Sequence, residues 1–288
     1  MDFIDSPCRR RFLASSGRVA ACALLGAPAV RVGMAASVQP ETYDGMHDGA
    51  AWRHAALERI ERERKQDFSL SVVDASGSPV ASAAVELELD RHDFGFGGGL
   101  KLSRLFDDEY PSELRQRYRE LAARMFHKTV ALNAFKWKHV DNNLPYIEPF
   151  LAWCEENRLP VRGHTLVWPR FRRAPDHVAQ LAGEPDRLRA AIEAHIERMV
   201  TSYRGRIAEW DVVNEPYTER EYTEILGEEV ALDWFAAVRE HDPDAVRYIN
   251  DFGVLTRPSQ KHRDYYYDYN DWLLETGAPV QGVGLQAH

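Results

Sequence analysis

The sequence predicts a parallel α/β fold of the barrel kind, preceded by a small helix and β-hairpin segment and, before that, a leader. Three observations carry this expectation. From about residue 94, apolar β-type runs alternate with Glu-, Arg- and Ala-rich helical stretches, the order that builds a parallel sheet. The runs recur at roughly 30 to 45 residues, the spacing of βα units. Several of them close on polar or aromatic residues, and a barrel gathers the ends of its strands on the face where its chemistry lies. An open doubly wound sheet would favour a Gly-rich phosphate turn after its first strand. Phe94-Gly95-Phe96-Gly97-Gly98-Gly99 offers one only superficially: its spacing is wrong for a dinucleotide fingerprint and no helix start follows directly.

In chain order, residues 1–36 read as a leader. Arg9-Arg10-Arg11-Phe12-Leu13 precedes a mildly apolar stretch that ends in small residues at Ala35-Ala36-Ser37, and Arg18 keeps that stretch too polar for a membrane anchor. This resembles a twin-arginine signal peptide, which implies export of a folded protein to the periplasm or beyond, with no anchor left after cleavage. Residues 37–93 read as an extension. A charged stretch with scattered apolar positions over 42–66 predicts an amphipathic helix. Near-alternation over Phe68–Val73 and Ala84–Leu89, with turn chemistry at Ala75–Pro79 between them, predicts a β-hairpin. Residues 94–288 hold the βα units. Strands are expected at 94–97, 129–133, 161–168, 207–215, 246–251 and 280–288, and helices at 113–126, 145–157, 188–203, 232–241 and 260–275.

Composition bounds the function. A net charge of −9 and a pI near 5.7 leave no basic face for phosphates, so nucleic acid is not an expected partner. Cys8 and Cys22 lie in the leader, which leaves Cys154 as a lone thiol, read as a buried helix residue. His127, His241 and His262 are scattered and suggest no metal site, and no cofactor is expected.

At Trp210-Asp211-Val212-Val213-Asn214-Glu215-Pro216 the chain resembles the acid/base strand of glycoside hydrolase family 10, whose members are mostly endo-1,4-β-xylanases. Four further motifs fit in the same order: Asn133-Ala134-Phe135-Lys136-Trp137, Arg162 to Trp168, Tyr248-Ile249-Asn250-Asp251-Phe252, and Gly282 to His288. The resemblance implies a (β/α)8 TIM barrel, of which the chain carries the first six units, and hydrolysis of internal bonds in xylan or a related β-1,4-linked plant polysaccharide. It implies a retaining mechanism in which two carboxyl groups stand about 5 to 5.5 Å apart. Glu215 matches the acid/base and Asn214 the residue that bonds the sugar 2-hydroxyl. His288 matches the histidine that touches the nucleophile. Asn133, Lys136, Trp137, His164, Trp168 and Gln286 match the sugar-binding set, with indole faces for pyranose rings and directed donors from Lys and His. Glu209, in the same run as Glu215, reads as an ordinary solvated charge, and the Tyr265-Tyr266-Tyr267-Asp268-Tyr269 cluster as a packed helix rather than a sugar surface.

The chain also departs from the pattern. Leu132 and Ala134 flank Asn133 where acidic residues are usual, and Pro169-Arg170-Phe171-Arg172-Arg173-Ala174-Pro175 replaces a polar loop after Trp168. Three arginines there lead to the expectation of a preference for acidic branches such as uronic acids. The nucleophile Glu belongs on a seventh strand, after the run that reaches His288, so the chain is read as a C-terminally truncated enzyme. A noncatalytic carbohydrate-binding protein, or another β-1,4-glycanase specificity on the same fold, is the alternative.

Overall fold

The structure is a computed structural model that describes residues 47–256 and 259–287. The leader and His288 lie outside the described residues. The chain divides into two compact units, residues 1–85 and 86–288.

In the first unit, helix α1 spans Ala51–Arg64 and buries none of its side chains. The expected helix is present but shorter, and its apolar residues Trp52, Leu57 and Ile60 are exposed rather than gathered on a buried face. The expected hairpin is reduced to its turn. Asp74 organises that turn by accepting from Ser76 N–H at 2.8 Å and Ser78 N–H at 3.0 Å, and one antiparallel bridge joins Val73 to Pro79. Pro79 has no N–H to continue a ladder, and two strands without a covered face are marginal in water. Every residue from 66 to 90 is exposed.

The second unit is built on six parallel strands in strictly sequential order. They are β1 Gly97–Leu100, β2 Lys128–Ala131, β3 Val161–Gly163, β4 Glu209–Asn214, β5 Val246–Phe252 and β6 Gly282–Gln286. Each strand pairs with the next, from Gly97 opposite Lys128 at one side to Phe252 opposite Gln286 at the other. Strand β1 begins three residues later than the aromatic pattern suggests. Phe94 and Phe96 stay exposed, and the glycines form the strand because neighbouring side chains leave room for nothing larger: a Cβ on Gly98 would stand 2.3 Å from the Phe126 ring. Strand β3 is short, but the chain returns to the sheet where Val167 bridges Val213.

Helices α2 Leu102–Phe106, α3 Ser112–Met125, α4 Val140–Glu156, α5 Asp176–Ala179, α6 Pro185–Ser202, α7 Glu221–Leu226, α8 Val230–His241 and α9 Gln260–Glu275 lie between the strands. Their apolar stripes meet the outward side chains of the sheet. Leu188, Ile192, Ile196 and Met199 of α6, with Trp234, Phe235 and Val238 of α8, join Trp210 and Val212 of β4 in one buried cluster. Trp210 meets Phe135 edge-on at 5.7 Å and lies against Gly163, where a Cβ would come within 2.1 Å of the indole. Helix α4 runs through Pro145 and Pro149 and starts five residues before Pro145, the expected first turn. Its Cys154 is buried, and burial pushes the thiol pKa up to about 12. Helix α9 is packed as expected, with Tyr266 and Tyr269 buried and Tyr267 facing solvent. Among the described residues no helix is long and apolar enough to cross a membrane.

Candidate active site

Strand β4 ends in Asn214 and Glu215 follows it directly, both buried. Glu215 leaves the strand with φ of +59°, a left-handed setting that is uncommon for a non-glycine residue and further disfavoured before Pro216. Hydrogen bonds compensate: Glu215 N–H donates to Asn250 O at 2.7 Å, and Glu219 N–H donates back to Glu215 O at 3.0 Å. Strain held this way concentrates at functional sites. Both side-chain oxygens of Glu215 are engaged. Trp168 Nε1 donates to Oε2 at 3.0 Å, and Gln286 Nε2 approaches Oε1 at 3.2 Å.

The same Gln286 amide also reaches Asn214 Oδ1 at 3.2 Å, which further accepts from Asn250 Nδ2 at 2.9 Å. Asn214 thereby has its oxygen satisfied and its direction fixed, while its Nδ2 has no partner among the described residues. A buried donor left unpaired costs free energy unless a ligand or water completes it.

Beneath this layer the sheet interior is charged. His164 Nδ1 lies 2.7 Å from Asp211 Oδ2, and Arg162 bonds Asp211 Oδ1 through Nε at 3.0 Å and again through a terminal nitrogen. Burial opposes the Asp211 charge, but the His164 hydrogen bond and the Arg162 guanidinium outweigh it and hold the carboxyl below the ordinary range. Holding Nδ1 against a carboxylate leaves His164 Nε2 as the free ring nitrogen. Glu209 is not the solvated charge its sequence context suggests. It pairs with Lys128 at 2.5 Å and faces Arg162 at 3.7 Å.

On the β2 side Lys136 Nζ donates to Asn133 Oδ1 at 2.8 Å and stands 5.0 Å from the Trp168 ring centre. Burial and the nearby Arg173 charge lower the Lys136 pKa, against the pull of Glu215. Two adjoining depressions share Lys136, His164 and Gln286. One extends over Asn133 and Leu132, the other over Trp168 and Glu215. The structure therefore brings together Asn133, Lys136, His164, Trp168, Asn214, Glu215 and Gln286. Trp137 is placed elsewhere: it packs against the core with its indole stacked on His195 at 4.3 Å and 8°. The three arginines after Trp168 face the protein's own carboxylates. Arg170 and Arg172 bond Glu219 at 2.8 and 3.1 Å, Arg173 lies 3.7 Å from the same carboxylate, and Arg170 also reaches Glu221. The expected attraction for acidic branches thus meets a loop whose charge is largely matched internally.

The family model for Glycosyl hydrolase family 10 matches residues 98–288. The chain belongs to that family. A β-1,4-xylanase of Dictyoglomus thermophilum is 32% identical over 185 residues, 59% of this chain and 50% of the relative. An anti-sigma-I factor, RsgI6, of Acetivibrio thermocellus is 29% identical over 245 residues, 83% of this chain and 30% of the relative. Xylanase 10B of Thermotoga petrophila, solved with xylobiose, superposes with a TM-score of 0.60 at 28% identity, covering 67% of this chain and 60% of that one. The family 10 chain spans about half the length, or less, of these curated relatives. Its six βα units are a partial (β/α)8 barrel.

Asp211, Arg162 and Glu219 were not singled out from the sequence. For the first two a signal existed. Asp211 stands two residues after Glu209 in an apolar run, and Arg162 two before His164, so each pair shares one face of its strand. A buried acid there requires a cation on a neighbouring strand. Glu219 carries no such pattern.

Proposed function

We propose that this family 10 domain acts in the hydrolysis of internal β-1,4-xylosidic bonds of xylan, with retention of configuration and with Glu215 as general acid and then general base. The observation that carries the reading is the presentation of Glu215, a buried carboxyl at a strand's C-terminal end with Trp168 and Gln286 on its two oxygens. In the first step a carboxylate from the strand that would follow β6 bonds to the anomeric carbon. The bond to the leaving oxygen breaks, and that oxygen takes the Glu215 proton. In the second step water bonds to the same carbon, the carboxylate leaves, and the water proton passes to Glu215. Asn214 Nδ2 is available for the sugar 2-hydroxyl, and His164 Nε2 and Lys136 for neighbouring hydroxyls. The xylan specificity rests on the xylanases that this chain is similar to.

The test is Glu215→Gln in the expressed protein. Turnover of xylan should fall by about 10²- to 10⁴-fold, the usual worth of a general acid, while cleavage of an aryl xyloside with a good leaving group falls far less. Equal losses on both substrates would remove Glu215 from the acid role. We further propose that the Arg9-Arg10 leader directs export.

A further inference from the structure

We infer that Glu219 is a positioning residue for Glu215: its buried carboxylate gathers the arginines of the loop after β3 and, through Arg173 and Trp168, holds the indole N–H on the Glu215 carboxyl group. This deepens the reading of Glu215 as the acid and rests on it.

The contacts form a closed circuit. Glu219 lies one turn after Glu215, and its N–H donates to Glu215 O at 3.0 Å. Its carboxylate is only 4% exposed and meets Arg170 at 2.8 Å, Arg172 at 3.1 Å and Arg173 at 3.7 Å. The Arg173 guanidinium lies 3.7 Å from the centre of the Trp168 ring, within the range of a cation–π contact. Trp168 then returns to Glu215 through its indole N–H at 3.0 Å. The first link is a backbone hydrogen bond and each of the others is a charge-assisted or ring contact, and the path starts and ends on one residue.

The charges explain why Glu219 is needed. Three guanidiniums within four residues, with Lys136 on the other side of the site, repel one another unless an anion stands between them. Glu221 cannot replace Glu219 in this circuit, because it holds the other end of the loop, accepting from Phe171 N–H at 2.7 Å and facing Arg170 at 3.4 Å. Without the Glu219 charge, Arg173 is pushed toward solvent and the indole loses the cation that presses it into place. Glu219 borders the same depression as Glu215 and Gln286, but its carboxylate is taken up by the arginines, so its effect on the Glu215 carboxyl passes through the loop.

The measurement is the indole N–H spectrum of the full chain labelled with nitrogen-15. Trp168→Phe identifies the Trp168 signal, and the other six tryptophans report whether the fold survives. In Glu219→Gln the Trp168 signal should shift and exchange with water about tenfold faster or more, the worth of a hydrogen bond to a charged group, while the other six stay in place. Glu219→Asp, which keeps the charge, should recover most of the shift. If Glu219→Gln moves all seven signals, Arg173→Met decides, since it removes the ring contact while leaving Arg170 and Arg172 on Glu219, and it should move the Trp168 signal in the same way. A Trp168 signal that stays put in a folded variant overturns the inference. In activity assays Glu219→Gln should lose xylan turnover more than aryl xyloside turnover, whereas parallel losses indicate a merely structural role and overturn it. If the wild type turns over neither substrate, the hydrolase reading fails, and the indole signal still decides the positioning role.

Discussion

His195 is a basic side chain buried in the core, 4% exposed and stacked flat on Trp137. Burial, reinforced by the charge of Arg198, pushes its pKa down to about 3. In the unfolded chain the imidazole titrates near about 6.5, so between those values the unfolded state binds the extra proton and the folded state does not. The stability this gives is complete above the unfolded value and is lost as pH falls toward the folded one. Urea unfolding followed from pH 7 to pH 3 should therefore show a steep decline, and His195→Phe, which keeps a flat ring against Trp137, should flatten it. An unchanged slope in that variant would assign the acid sensitivity to other groups, with Asp211 the first candidate. Single residues also mark where sequence reading stops. Nothing in Asn133 to Trp137 tells that the indole turns to the core, because its partner sits on α6, dozens of residues later. Glu219 and its arginines are likewise separated by 46 to 49 residues.

At the level of elements, β3 and β4 depend on a missing side chain. Gly163 lets the Trp210 indole lie against the β3 backbone, and an added methyl would meet the ring at 2.1 Å. Gly163→Ala should thus destabilise the domain by about 1 to 3 kcal/mol, the usual cost of overpacking. The check is a lower urea midpoint with unchanged slope, and an unmoved midpoint would mean that the ring has room to shift. The five long helices were legible because Glu, Arg and Ala at helical spacing have few competing uses, and α9 begins and ends as read, whereas α2, α5 and α7 are too short to show a stripe and were not expected. Strand ends were harder. The aromatic residues Phe94 and Phe96 have higher strand propensity than Gly97–Gly99, yet the glycines pair with β2 because the ring of Phe126 and the side chains of Lys128 and Leu132 cover them. The hairpin failed for the opposite reason: its alternation is real, but nothing buries either face. Where an apolar strand ends in Asn and Glu, by contrast, local pattern and tertiary demand agree, and β4 delivers both residues to the site.

For the whole molecule, the candidate site was legible to the extent that strand ends share one face of a parallel sheet. Seven of the expected site residues meet there although they come from four separate strand regions. The charged layer below them was legible only as separate hints on β3 and β4, since pairing Lys128 with Glu209 and Arg162 with Asp211 requires the strand order. Export is testable at this scale as well. Replacing Arg9 and Arg10 by Lys should leave the protein in the cytoplasm of its producing cell, and undiminished secretion of that variant would discard the leader assignment. The sequential order β1 to β6 has a further consequence, for synthesis. From β2 to β6 each strand pairs with the one made just before it, so each of these pairings spans a single βα unit, and only the free edge of β1 must wait for the strand that closes a barrel. The sheet can grow unit by unit at the pace of translation, with each new helix covering the strand pair behind it.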